Sequence, residues 1–117
     1  MTKESPHLPG YHPSQKALVA LDTMVQGIEA IRISEAMEMP DADLKFQESY
    51  WQTKFSEKFL SLEGAETPYF HVLEPLIVNG HNMEKRATII ELKRQRLNRE
   101  QIRTFMQIRD RYLQATA

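Results

Sequence analysis

His71 and Glu74 stand three residues apart, so on a helix they would share one face, and His81 follows ten residues after His71. An imidazole nitrogen and a carboxylate oxygen at that spacing are the raw material of a metal site. Pro75, directly after Glu74, disturbs the face, and the Glu-x-x-His pattern of di-iron bundles is absent. No metal and no cofactor are therefore expected. The chain has no cysteine, which removes thiolate ligands, disulfides and cysteine nucleophiles. Gly10, Gly27, Gly64 and Gly80 are scattered singly, so no phosphate-cradling loop can form. Glu35, Glu38, Asp41 and Asp43 read as helix caps and solvated faces, and the serines lie in no nucleophile elbow. With neither nucleophile and base nor paired carboxylates, no catalytic residue and no small-molecule substrate is inferred; the chain is not expected to be an enzyme.

Charge carries more information than these candidates do. The net charge of −1 hides an uneven distribution. Residues 1–82 hold six basic against twelve acidic residues, and residues 83–117 hold nine against four. Such asymmetry marks either a nucleic-acid surface or two halves that attract each other, within a chain or between chains. A neutral total favours the second reading, because dedicated nucleic-acid binders carry a basic excess. The composition, 41% hydrophobic and 26% charged, is that of a globular domain. No apolar run approaches the roughly 18–20 residues that cross a bilayer. The N-terminus lacks the apolar core of a signal peptide, so a cytoplasmic protein without membrane contact is expected.

Residues 1–13, with Pro6, Pro9, Gly10 and Pro13, read as an extended leader in which His7 and His12 are surface residues. One domain, 14–117, follows. Ser14 is the expected N-cap of a first helix that Pro40 stops at about Met39. Its apolar stripe runs from Ala17 to Met39, with Gly27 on the opposite side. A second helix, capped by Asp41 or Asp43, runs to about Gly64 and pairs antiparallel with the first across a short link. In it Leu44, Trp51, Phe55, Phe59 and Leu62 share one narrow arc. Its three aromatics would bury roughly 150–250 Å² each and dominate a small core.

Thr67-Pro68 reads as a third helix start and Asn79-Gly80 as its end, with Pro75 kinking, shortening or opening the segment between. A fourth helix, about Met83–Arg96, puts Ile89, Ile90 and Leu92 on the same side as Lys85, Arg86 and Lys93, and Thr88 on the other. An apolar side rimmed with base suits docking onto the acidic first two helices. Asn98 with Gln101 forms a capping box that restarts the chain as a fifth helix to about Leu113. The fold expected is all-α: a small helical bundle in which an antiparallel hairpin is closed by a kinked short helix and a basic C-terminal helical pair.

Four residues fit this bundle awkwardly. Phe46 and Tyr50 lie one turn apart, well away from the aromatic arc of their helix, and need a cover of their own. Arg32 lies inside an apolar stripe, where Glu35 one turn on could pair with it. Arg109 sits in the middle of the apolar arc formed by Ile102, Phe105, Met106, Ile108, Tyr112 and Leu113. It must meet an acid from the N-terminal half or reach outside the fold. Arg32, Phe46, Tyr50 and Arg109 are thus the candidate partner-binding residues of a non-enzymatic interaction protein. Such a protein would act as regulator, adaptor or subunit of a larger assembly, by protein contact or self-association as a homodimer.

The alternative is a nucleic-acid-binding regulator using Arg94, Arg96, Arg99 and Arg103 around the corner between the last two helices. The segment LNREQIRTFMQIRDRYL, 97–113, resembles the second half of a helix-turn-helix, with the turn at Gln107 where the motif commonly has glycine. An uninterrupted helix over 98–113 accounts for the same residues with fewer assumptions.

Overall fold

The structure, a computed structural model, describes residues 14–117; the leader with His7 and His12 lies outside them. Five α-helices follow one another as α1 (Gln15–Ala36), α2 (Asp41–Leu60), α3 (Glu63–Val78), α4 (Lys85–Arg94) and α5 (Arg99–Ala115). A single 3-10 turn, Gly80–Asn82, joins α3 to α4, and no strand occurs among the described residues. The protein is an all-α helical bundle.

Its centre is α1, which is covered on two sides. Leu18, Leu21 and Val25 are buried with Phe70, Leu73 and Ile77 of α3, Leu92 of α4, and Phe105 and Ile108 of α5. The other side of α1 meets α2 as the expected antiparallel hairpin: Gly27 touches Trp51, and the two are equidistant in sequence from Met39. A Cβ on Gly27 would lie 3.0 Å from the Trp51 Cβ, so the missing side chain is what lets the helices approach. Gly27 therefore faces a neighbouring helix, and the expected empty side of α1 is the side α2 occupies.

The aromatic arc does not dominate the core. No residue of α2 is buried, and Trp51, Phe55 and Phe59 are each half-covered. Phe70 is the buried ring of the cluster, with Phe59 edge-on at 5.1 Å and Phe55 at 5.8 Å. The second helix lies against one flank of the bundle, and most of its surface faces outward.

The third helix corrects another expectation. It begins at Glu63, four residues before Thr67, and passes unbroken through Pro68 and Pro75. Each proline lacks the N–H that would reach the carbonyl four residues back, Gly64 and His71 respectively. Both prolines and both of those residues are exposed, so water can serve the carbonyls left without a donor. Thr67 donates to the Glu63 carbonyl at 2.5 Å and is an interior residue of the helix, not its cap.

Helix ends are made without glycine. Glu38, Glu63 and Arg96 have left-handed backbones, with φ of 56°, 55° and 68°. Met39 N–H reaches the Ser34 carbonyl at 3.1 Å, and Leu97 N–H reaches that of Leu92 at 3.2 Å, the long bonds of a Schellman stop. Hence α1 ends at Ala36, short of Met39, and α2 ends at Leu60, short of Gly64. A side chain in this backbone region is strained by about 1 kcal/mol relative to glycine. Arg96→Gly is expected to raise the urea midpoint, a gain of about 1 kcal/mol; an unchanged or lower midpoint would show that the Arg96 side chain itself stabilises the corner.

Candidate functional site

Of the residues expected to meet a partner, Arg109 does something else. It is 6% exposed, and one terminal nitrogen donates to the carbonyls of Met83 at 2.8 Å and Gly80 at 3.2 Å. Asp110 lies 3.7 Å from the other terminal nitrogen. The guanidinium thus holds the Gly80–Asn82 turn onto α5. Gly80 fits against Arg109 and Leu113 so closely that a Cβ would come within 3.1 Å of Leu113. His81, in the same turn, contacts the Thr116 hydroxyl at 3.0 Å. Arg109 is therefore not carried forward as a partner-binding residue: it is buried, one terminal nitrogen serves two backbone carbonyls inside the chain, and its buried Nε has no hydrogen-bond partner among the described residues.

The other candidates remain on the surface. Arg32 and Glu35 are both exposed, and no ion pair joins them among the described residues. Arg32 instead borders a shallow groove with Ile33, Arg111 and Gln114. Phe46 is 62% exposed and Tyr50 46%, in a groove with Ser49, Thr53, Lys54 and Glu57. Tyr50 stacks edge-on to Trp51 at 5.3 Å, and the Lys54 ammonium stands 5.5 Å above its ring. Leu60, 77% exposed, falls on the same stripe by helical periodicity and was not singled out by sequence.

The two oppositely charged halves meet through Arg111. It donates to both carboxylate oxygens of Glu29, at 2.8 and 3.1 Å, and also to Asp22, tying α5 to α1. Its guanidinium is held above its ordinary pKa range, first by the Glu29 hydrogen bond and further by the one to Asp22. Arg109 is buried against the Gly80 and Met83 carbonyls. The other seven basic residues of the C-terminal third, Lys85, Arg86, Lys93, Arg94, Arg96, Arg99 and Arg103, are exposed. Among the described residues, exposed Arg94 pairs locally with half-buried Glu91 at 3.4 Å.

The expected docking of α4 onto the acidic helices is not what the structure has. The buried side of α4 is Thr88 and Leu92, and Ile90 is 53% exposed in a groove with Lys85, Arg86, Ile89 and Lys93. Thr88 points inward because its hydroxyl donates to the Glu84 carbonyl at 3.1 Å, leaving a methyl group to pack.

Around the corner, Asn98 caps α5 as expected. Its side chain accepts from Gln101 N–H at 2.8 Å, and the Gln101 side chain accepts from Asn98 N–H at 3.0 Å. The chain from α4 to α5 is thus two helices joined by residues 95–98, with a left-handed residue, Arg96, followed by buried Leu97. The turn is short and well defined at both ends. It lies ten residues upstream of the turn expected at Gln107, which is in mid-helix.

His71 and His81 are engaged separately. His71 sits edge-on to Phe59 and Phe70, whereas His81 holds Thr116. No group of three His, Asp or Glu side chains is placed to hold a metal among the described residues. No described helix is long and apolar enough to cross a membrane. No family model, no curated protein and no solved structure matches this chain.

Proposed function

We propose that the protein is a non-enzymatic interaction protein, a regulator, adaptor or assembly subunit, acting through protein contacts made by the outer face of α2. The observation that carries this is the uncovered row of Phe46, Tyr50 and Leu60 on a helix with no buried residue. Single exposed apolar side chains are ordinary. Phe46 and Tyr50 stand one turn apart as an exposed aromatic pair of the kind that interfaces use, and Leu60 lies about 15 Å further along the same stripe beyond Thr53 and Glu57. Large aromatics bring much contact area for few rotatable bonds.

Phe46→Asp with Tyr50→Asp should leave the helical circular dichroism and the melting midpoint nearly unchanged, because neither side chain supports the core. In sedimentation equilibrium the wild-type chain is expected to self-associate with rising concentration and the double variant to stay monomeric. Equal association of the two would take the α2 face out of the proposal.

A second reading, a nucleic-acid-binding regulator, is favoured by the seven exposed basic residues of α4, the corner and α5. Among the described residues, the local Glu91 contact of Arg94 is the one ion pair that any of them makes.

A further inference from the structure

The geometry points to a duplex-DNA docking site at the α4–α5 corner, with the outer side of α5 lying in the major groove; this rests on the nucleic-acid reading. Three features converge on it. Arg94, Arg96 and Arg99 fall within six residues around the turn, so their charges are concentrated at one corner, and all are exposed. The left-handed backbone at Arg96 and the cap at Asn98 fix the direction in which α5 leaves that corner. Beyond it, Arg99, Arg103 and Gln107 recur every four residues along the exposed side of α5. They span about 12 Å along the helix, and the major groove of B-form DNA is wide enough to admit the diameter of an α-helix.

The residue types divide the work. Arg94 and Arg96, in and before the turn, suit phosphates on either side of the groove. Arg99 and Arg103 suit the paired acceptors of guanine, and Gln107 the donor and acceptor of adenine. Duplex DNA fits better than single strands, because among the described residues the exposed large aromatics, Phe46 and Tyr50, belong to α2 and not to the basic corner. It fits better than duplex RNA, whose major groove is too narrow for a helix. Three acids share this region: Glu91, paired with Arg94 and hydrogen-bonded to Gln95; Glu100, in the first turn of α5; and Asp110, beside Arg109. The exposed Arg94–Glu91 pair is cheap to open.

The test is fluorescence anisotropy with the full chain and a labelled duplex DNA at ~50 and ~200 mM salt. The two phosphate contacts of Arg94 and Arg96 predict that affinity falls roughly tenfold across that range. Arg94→Ala with Arg96→Ala should lower the salt slope by roughly two, a loss that Lys45→Gln with Lys58→Gln on α2 should not reproduce. Gln107→Glu, remote from the turn, should weaken binding at least tenfold while circular dichroism and self-association stay as in the wild type. Glu100→Gln should tighten it.

No binding at ~50 mM salt would overturn both the docking site and the nucleic-acid reading. Binding that is indifferent to Gln107→Glu, that weakens equally with the α2 control, or that is tighter for single-stranded or duplex RNA would overturn the groove docking and leave a generic polyanion surface.

Discussion

Arg109→Glu is expected to abolish the cooperative fold. The wild-type guanidinium is almost fully buried and serves two carbonyls, those of Gly80 and Met83, that have it as donor. A carboxylate in its place would be desolvated and would face acceptors it cannot satisfy. Removing one partner from a buried charged interaction costs about 3–5 kcal/mol, and here the new charge is also repelled. A domain of this size is stable by only about 5–15 kcal/mol, so the variant should lose most of its thermal transition. Arg109→Met keeps much of the apolar stem and is expected to cost less, about 1–3 kcal/mol for the Met83 carbonyl left without its donor, since the Gly80 carbonyl keeps the Met83 N–H. Urea titrations followed by circular dichroism would rank the three chains. A folded Arg109→Glu chain with the wild-type midpoint would mean that the guanidinium does not hold the turn and is available to a partner after all.

What the sequence makes legible is local. The break at Pro40 and the antiparallel hairpin around it, the Asn98–Gln101 capping box and the all-α class each depend on residues a few positions apart. What it conceals depends on partners far along the chain or on backbone groups that every residue possesses. Arg109 stands out in its apolar arc, yet nothing in the pattern names the carbonyls of Gly80 and Met83 as its acceptors. Gly27 scores as a gap in a stripe, although it is the point where Trp51 comes closest. Thr88 scores as polar, although its hydroxyl is consumed by its own helix. Pro68 and Pro75 read as breaks because the rule concerns the lost hydrogen bond; the outward orientation that makes the loss tolerable is a property of the packed bundle. Of the surface candidates, Phe46 and Tyr50, expected to need a cover, are left uncovered by every other helix of the bundle. The break at the basic corner is legible through its Asn98 cap, but the left-handed backbone that makes the turn is not, because Arg96 occupies a region where glycine is the usual signal.

Glu66 is the clearest case of a long-range partner, and it sets the last prediction. Its carboxylate, 2% exposed, accepts the N–H groups of Lys16 at 2.8 Å and Ala17 at 3.1 Å, capping α1 from fifty residues away while Ser14 makes no side-chain cap. Glu66→Ala strands both donors, and its cost is expected to be about 1–3 kcal/mol. The pH dependence follows from two opposed effects. Burial raises the carboxyl's pKa, whereas the two N–H groups and Lys16 lower it, and burial prevails. A carboxyl that binds its proton more tightly when folded contributes stability below its unfolded pKa and loses it as pH rises through the folded value. Glu66→Gln can still accept both N–H groups and does not titrate. The wild-type advantage over Glu66→Gln should therefore shrink as pH rises from about 4 through the raised folded pKa, read as a difference of urea midpoints at each pH. An advantage that grows with pH would mean the opposite balance: the N-terminus of α1, with its free donors and positive dipole end, would be holding the carboxylate ionised against the cost of burial.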